Sequence, residues 1–236
     1  CASEKRRRRK RGRLPDPARR VVINELVCEG CGDCSTQSNC LAVSPLETEF
    51  GRKRRIDQST CNKDFSCLNG LCPSFVTVEG GQMRAAKAAT IGNLLVPEPQ
   101  RVTAGSAVGS YNILVTGVGG TGVVTIGNIL GMAAHLEGRH VSVLDQTGLA
   151  QKYGAVMSHI QIADDAARLR ATRITDAGAD LVLGADLVTA ASRDGIRRLA
   201  RERSHVIVDT EATVVSAFTR NGDLDFGIDA MVRAIA

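Results

Sequence analysis

Two different hydrophobic patterns divide the chain. From Tyr111 onward, apolar strand-like runs alternate with a stretch of helical period. YNILVTG reads as a strand, a glycine-rich turn follows, and an apolar helix continues through about Glu137. A strand HVSVLD comes next, then a strand SHIQIA, a run ADLVLGAD, a helix around residues 191 to 203, and a strand HVIVDT. Strand and helix alternation of this kind predicts an α/β fold with a doubly wound, mostly parallel, Rossmann-like sheet over residues 110–236.

Residues 21–80 lack that rhythm. Short apolar runs, VVINELV and SFVTVEGG, bracket an interior rich in Gly, Asn, Ser and Asp. They are predicted to pair as strands closing a small α+β module organised by a cofactor. Residues 81–109 form a weakly patterned connection with Pro97 and Pro99 as breakers, and residues 1–20 read as a basic linker. The chain begins with Cys1 rather than Met and stops in DAMVRAIA, a helical pattern that looks cut short, so a fragment of a longer protein is expected.

Composition narrows this picture. Aromatics are 3% with no Trp, so the core must be built from Val, Ile, Leu and Ala. No run approaches the roughly 20 apolar residues of a membrane span. The net charge of +5 is local, because KRRRRKRGR at residues 5–13 holds eight positive charges and the remainder is mildly acidic. That segment is read as solvated rather than as a nucleic-acid surface, and no apolar stretch follows it to make a secretory signal. Neither nucleic acid nor membrane is an expected partner.

Eight cysteines in such a chain point to metal in a reducing cytoplasm rather than to disulfides. Seven fall between positions 28 and 72. "CEGCGDCSTQSNC" places Cys28, Cys31 and Cys34 at C-x2-C-x2-C, followed by Cys40. Three thiolates on one tight loop suit an iron–sulfur cube whose fourth ligand arrives from elsewhere, whereas a zinc ribbon needs cysteine pairs. "CNKDFSCLNGLCP" repeats the phase with one change: Cys61, Asp64 and Cys67, then Cys72-Pro73. In two-cluster ferredoxins the last cysteine of each half ligates the other half's cluster. Cys28, Cys31, Cys34 and Cys72 are therefore expected on one [4Fe-4S] cluster, and Cys40, Cys61, Cys67 and Asp64 on a second. A carboxylate is a poor ligand for a soft site, so Asp64 holds a labile fourth iron, borders a [3Fe-4S] cluster, or is a loop residue that only faces water.

Gly117, Gly119, Gly120 and Gly122 fit G-x-G-x-x-G between a strand and a helix, where backbone amides approach a phosphate or another anion. Asp145, at the end of the next strand, stands where a ribose contact of NAD would be made. The same glycines also serve strand-to-helix packing alone. His135, His140, His159 and His205 show no metal spacing.

The segments "VCEGCGDCSTQSNCL", "ETEFGRKRRIDQSTCNKDFSCLNGLCPSFVTVEGG", "GVGGTGVVTIGNILGMAAHLEG" and "DQTGLAQKYGAVMSHIQIA" together resemble the fused bacterial indolepyruvate ferredoxin oxidoreductases of the 2-oxoacid:ferredoxin oxidoreductase family. The resemblance implies a ferredoxin-like module followed by the start of the gamma, or catalytic, domain. It implies oxidative decarboxylation of an aryl 2-oxoacid on thiamine diphosphate and Mg held in another part of the enzyme. Electrons then pass through [4Fe-4S] clusters to ferredoxin, and coenzyme A accepts the acyl group. The implied partners are the thiamine-binding domains of the same polypeptide or complex, in a homo-oligomer. Gln151 and Lys152 fall near the cofactor side by this resemblance, although Tyr153 stands where the family has Gly. An NAD-linked iron–sulfur reductase using the glycine-rich turn is the competing reading.

Overall fold

The computed structural model describes residues 2–81, 109–148, 154–211 and 213–236. Two compact units divide the chain, one of Cys1–Leu95 with Val214–Asp225 and the other of Val96–Thr213 with Phe226–Ala236.

The first unit is built on a duplicated plan. Strand β1 (Arg19–Ile23) leads into a cysteine loop, helix α2 (Asp33–Ser38) and strand β2 (Val43–Thr48). Strand β3 (Gly51–Ile56) then leads into the second loop, a 3-10 turn (Ser66–Asn69) and strand β4 (Phe75–Glu79). The halves exchange strands, since β1 pairs antiparallel with β4 and β2 with β3. This pairing governs the chemistry. Cys72 lies three residues before β4 and is drawn to the loop after β1, while Cys40, three residues before β2, is drawn to the loop after β3.

The basic segment forms helix α1 (Ala2–Lys10). Arg7 and Arg8 pair with Glu4 on its exposed side. Arg9 instead donates to the carbonyl of Asn62 in the second loop. Arg9, Arg20 and Lys63 converge on Asp16. The Lys63 hydrogen bond, with the three positive charges, holds the Asp16 carboxyl below its ordinary range against a desolvation cost.

The second unit is a five-stranded sheet of order β6-β7-β5-β8-β9. Strand β5 (Ser110–Val118) lies between β7 (Ala155–Ala163) and β8 (Leu181–Gly184), with β6 (His140–Thr147) and β9 (His205–Val208) at the edges. The mostly parallel sheet expected from the alternation is corrected here. Only β5, β8 and β9 run parallel, and β7 is antiparallel to both β5 and β6. A parallel neighbour needs a crossover of a dozen or more residues, and far fewer separate β6 from β7.

Helix α3 (Val123–Leu136) covers one face, over Ile113, Val115, Val156 and Ile160. Leu114, Met157, Ile174 and Val182 form the core of the other. Burying a side chain such as Leu114 or Ile160 contributes about 1.5–3 kcal/mol. The helix expected around 191–203 is replaced by two single turns, α4 (Leu187–Ala190) and α5 (Arg193–Ile196). Asp186 and Ser192 each cap a separate start, which splits the helix. The terminal helix expected from DAMVRAIA is present as α6 (Ile228–Ile235).

Candidate metal centre

All eight residues singled out by spacing lie around two hollows, four on each. Cys28, Cys31, Cys34 and Cys72 line a cavity of about 290 Å³, together with Arg54 and Leu71. Cys40, Cys61, Asp64 and Cys67 line a second hollow of about 10 Å³, with Arg20 and Lys63 at its wall. Among the described residues, no three His, Cys, Asp or Glu stand close enough to hold a single metal ion. The four residues of each set instead line a shared hollow.

The two loops share one backbone. Four residues before each leading cysteine, Asn24 or Asp57 turns the chain: its side chain accepts from the amide two residues on, and its carbonyl accepts from the amide of Cys28 or Cys61. Gly30 N then donates to Cys28 Sγ at 3.4 Å, and Lys63 N to Cys61 Sγ at 3.3 Å. Two left-handed residues follow in each loop, Gly30 (φ 76°) and Gly32 (φ 81°) in the first, Lys63 (φ 55°) and Phe65 (φ 60°) in the second. A Cβ at Gly30 would collide with the carbonyl of Arg52. Lys63 and Phe65 carry side chains in a conformation that costs about 1–2 kcal/mol each. Outside contacts hold them there. Lys63 pairs with Asp16, and the Arg19 guanidinium lies 5.1 Å from the Phe65 ring centroid.

Asp64 occupies the loop position of Cys31, and both are exposed. Its Oδ1 accepts from Ser66 N at 3.2 Å and from Ser66 Oγ at 3.0 Å, starting the 3-10 turn. That bond engages one of the two carboxylate oxygens. At the first hollow Cys72 Sγ lies 2.8 Å from Ser74 Oγ.

The donor chemistry fits iron at both hollows. Burial pushes the Cys67 thiol up to about 11, with the nearby Cys61 and Cys40 adding to the rise. Burial also raises Cys61, opposed by the Lys63 amide and reinforced by Cys40 and Asp64. Cys34 is raised by burial, against the Ser35 hydroxyl and the Arg54 charge. These thiols keep their protons at neutral pH unless a metal displaces them. Space divides the sites: the first hollow is roomy, whereas the second holds no more than about one water and must open to admit a cluster.

The glycine-rich turn lies between β5 and α3. Gly119 N donates to Gly154 O at 2.8 Å and Thr121 N to Val118 O at 3.1 Å, so two of its amides are engaged within the protein. Gly120 (φ 108°) and Gly122 (φ 90°) take left-handed backbone, and a Cβ at Gly117 would press on Thr121 and Val123. Gly117, Gly120 and Gly122 thus each have a reason in the fold itself. Asp145 pairs across the sheet with Ser158, one strand removed from β5, because β7 stands between. In a dinucleotide fold the ribose-binding acid ends the strand beside the glycine turn. The NAD reading therefore gains no support from this geometry. His159 is fully buried, its Nε2 2.9 Å from Gln146 Oε1. Burial, then the Arg198 and Arg173 charges, holds its ring down at about 4. Gln151 and Lys152 lie outside the described residues.

Sequence reasoning missed Arg54, one of four consecutive basic residues at 52–55, which is 1% exposed. It also missed the hairpin of β2 and β3, where Pro45 and RKRR hide the strand alternation.

Residues 112–232 match the family model described as pyruvate ferredoxin/flavodoxin oxidoreductase. The chain is 36% identical over 80 residues to indolepyruvate oxidoreductase subunit IorB of Pyrococcus horikoshii, covering 34% of this chain and 38% of that protein. It is 36% identical over 103 residues to the subunit of the same name from Methanothermobacter thermautotrophicus, covering 43% and 48%. The chain thus spans less than half the length of these curated relatives. Among solved structures, the pyruvate oxidoreductase subunit PORC of Thermotoga maritima is similar at 20% identity and a TM-score of 0.35, covering 48% of this chain and 56% of that one.

Proposed function

The chain belongs to the pyruvate ferredoxin/flavodoxin oxidoreductase family, and from that premise we propose that it is the electron-carrying part of an oxidoreductase that decarboxylates an aryl 2-oxoacid. Indolepyruvate is the oxoacid favoured, after the name of the matched relatives. Thiamine diphosphate with Mg, held by other domains of the same polypeptide or complex, takes the substrate. Coenzyme A accepts the acyl group, ferredoxin accepts the electrons, and the whole forms a homo-oligomer in the cytoplasm. The observation that carries this reading is the gathering of the eight spaced residues as four and four, with Cys72 and Cys40 each delivered across to the other half's loop.

Bound iron–sulfur clusters supply one-electron acceptance and release at low potential. The chain's residues set where and how tightly. Cys28, Cys31, Cys34 and Cys72 hold the first cluster, and the Gly30 amide, donating to Cys28 Sγ, spreads the negative charge of that ligand. Cys40, Cys61 and Cys67 hold the second, with Asp64 as its oxygen donor, and the Lys63 amide repeats the role of Gly30. The glycine-rich turn serves to join β5 to α3.

Anaerobic reconstitution with iron and sulfide is expected to load about eight irons per chain. Fewer than about three would contradict the reading, as two sites of four donors cannot then both be filled.

A further inference from the structure

The first hollow contains a charge that the ligand set does not explain. Arg54, on β3 opposite Pro45, is the largest fully buried side chain in the described residues. Its guanidinium donates to Lys53 O at 3.2 Å and to Gly222 O at 3.0 Å, and lies 4.8 Å from the Phe218 ring centroid. Its Nε is buried without a hydrogen-bond partner, and no carboxylate among the described residues pairs with it. The side chain forms part of the wall of the cavity lined by Cys28, Cys31, Cys34 and Cys72.

A guanidinium keeps its charge under all physiological conditions, and burying one without a counter-charge is strongly unfavourable. Carbonyl oxygens and an aromatic face ease that cost but do not neutralise the charge. Residues 214–225 hold the group in place. Phe218 stacks on it, Gly222 accepts from it, and a Cβ at Gly222 would collide with Nη2. On the loop side, a Cβ at Gly32 would come within 3.3 Å of the same nitrogen. Glycine on both sides lets a cation sit against the backbone of the cysteine loop.

We propose that Arg54 is the built-in counter-ion of the first cluster and sets its reduction potential above that of the second. The inference rests on the cluster reading given above. Four thiolates around the iron–sulfur core give the site a net negative charge. One-electron reduction adds one more negative charge with no bond made or broken, the electron coming from the substrate-oxidising part of the enzyme. A fixed positive charge beside the site favours the reduced form over the oxidised one, and potentials of such clusters respond to net charge and burial. Arg20 and Lys63 at the second hollow offer a weaker pull, since Asp16 already pairs with both. The first cluster is therefore the better electron acceptor of the two. Arg54 is a positioning residue here, acting on the cluster by charge alone.

The test is a redox titration, followed by electron paramagnetic resonance, of the full chain reconstituted anaerobically, with iron and sulfide measured on each sample. Arg54→Met is expected to lower one of the two midpoints by at least a tenfold change in the reduction equilibrium, about 59 mV for a one-electron couple, and to leave the other in place. Arg54→Lys keeps the charge and is expected to leave both midpoints near their original values. Equal shifts in the two variants would reveal a packing role and overturn the inference, as would full iron loading in Arg54→Met with both midpoints unmoved. Should Arg54→Met fail to fold, Arg54→Gln removes the charge while keeping a polar side chain and must lower the same midpoint; an unmoved midpoint again overturns it. Failure of the unaltered chain to load iron would instead remove the cluster reading on which the inference rests.

Discussion

The first cysteine loop places glycines at its two left-handed positions, and the second places Lys63 and Phe65 there. The first surrounds a cavity of about 290 Å³ with four sulfurs, and the second closes on about 10 Å³ with three sulfurs and a carboxylate. Yet both use the same Asx turn and the same amide-to-sulfur bond. The difference shows that loop geometry is separable from the residue at its middle position. The same backbone turn forms where Asp64 stands in place of a cysteine, and side-chain contacts to Asp16 and Arg19 hold it there in place of glycine.

The largest expected effect comes from removing the ligand that crosses between the halves. Cys72→Ser, although it alters the second half of the sequence, is expected to empty the first site and leave about four of about eight irons. If iron measurement and electron paramagnetic resonance show the second cluster lost instead, the strand exchange does not deliver Cys72 as described. Next is a matched pair at the left-handed positions. Gly30→Ala is expected to destabilise the chain by about 2–3 kcal/mol, since its Cβ meets a carbonyl that cannot yield easily. Lys63→Gly, at the corresponding place, is expected to fall within about 1 kcal/mol of the original chain, because relief of strain offsets the lost Asp16 pair. Denaturant titration measures both, and equal losses would contradict the strain assigned to the second loop. Smallest is Phe65→Leu, which removes the Arg19 stacking and is expected to cost about 0.5–1 kcal/mol by the same measurement.

Much of the grouping of these residues was legible because cysteine spacing is a local property. Counting in threes from Cys28 and from Cys61 gave three of the four that line each hollow, and the pairing of VVINELV with SFVTVEGG is observed as β1 with β4. Sheet direction was not legible, because the alternation of SHIQIA reads the same in either sense and only the shortness of the β6–β7 connection makes β7 antiparallel. Arg54 was hidden for a different reason. Nothing in RKRR distinguishes one arginine from its neighbours, and its burial depends on Phe218 and Gly222, more than 160 positions away. The same long-range contact explains why residues 214–225 read as part of the sheet domain and are found with the cysteine module.

In the proposed reading the second site, with oxygen in place of one sulfur, holds one iron less firmly than the first. A timed chelator challenge of the reconstituted chain, followed by electron paramagnetic resonance, tests it most directly. The account predicts that the original chain gives up one iron early and develops a three-iron signal, and that Asp64→Cys does neither. Iron leaving both clusters together, or a spectrum indifferent to Asp64→Cys, would contradict it.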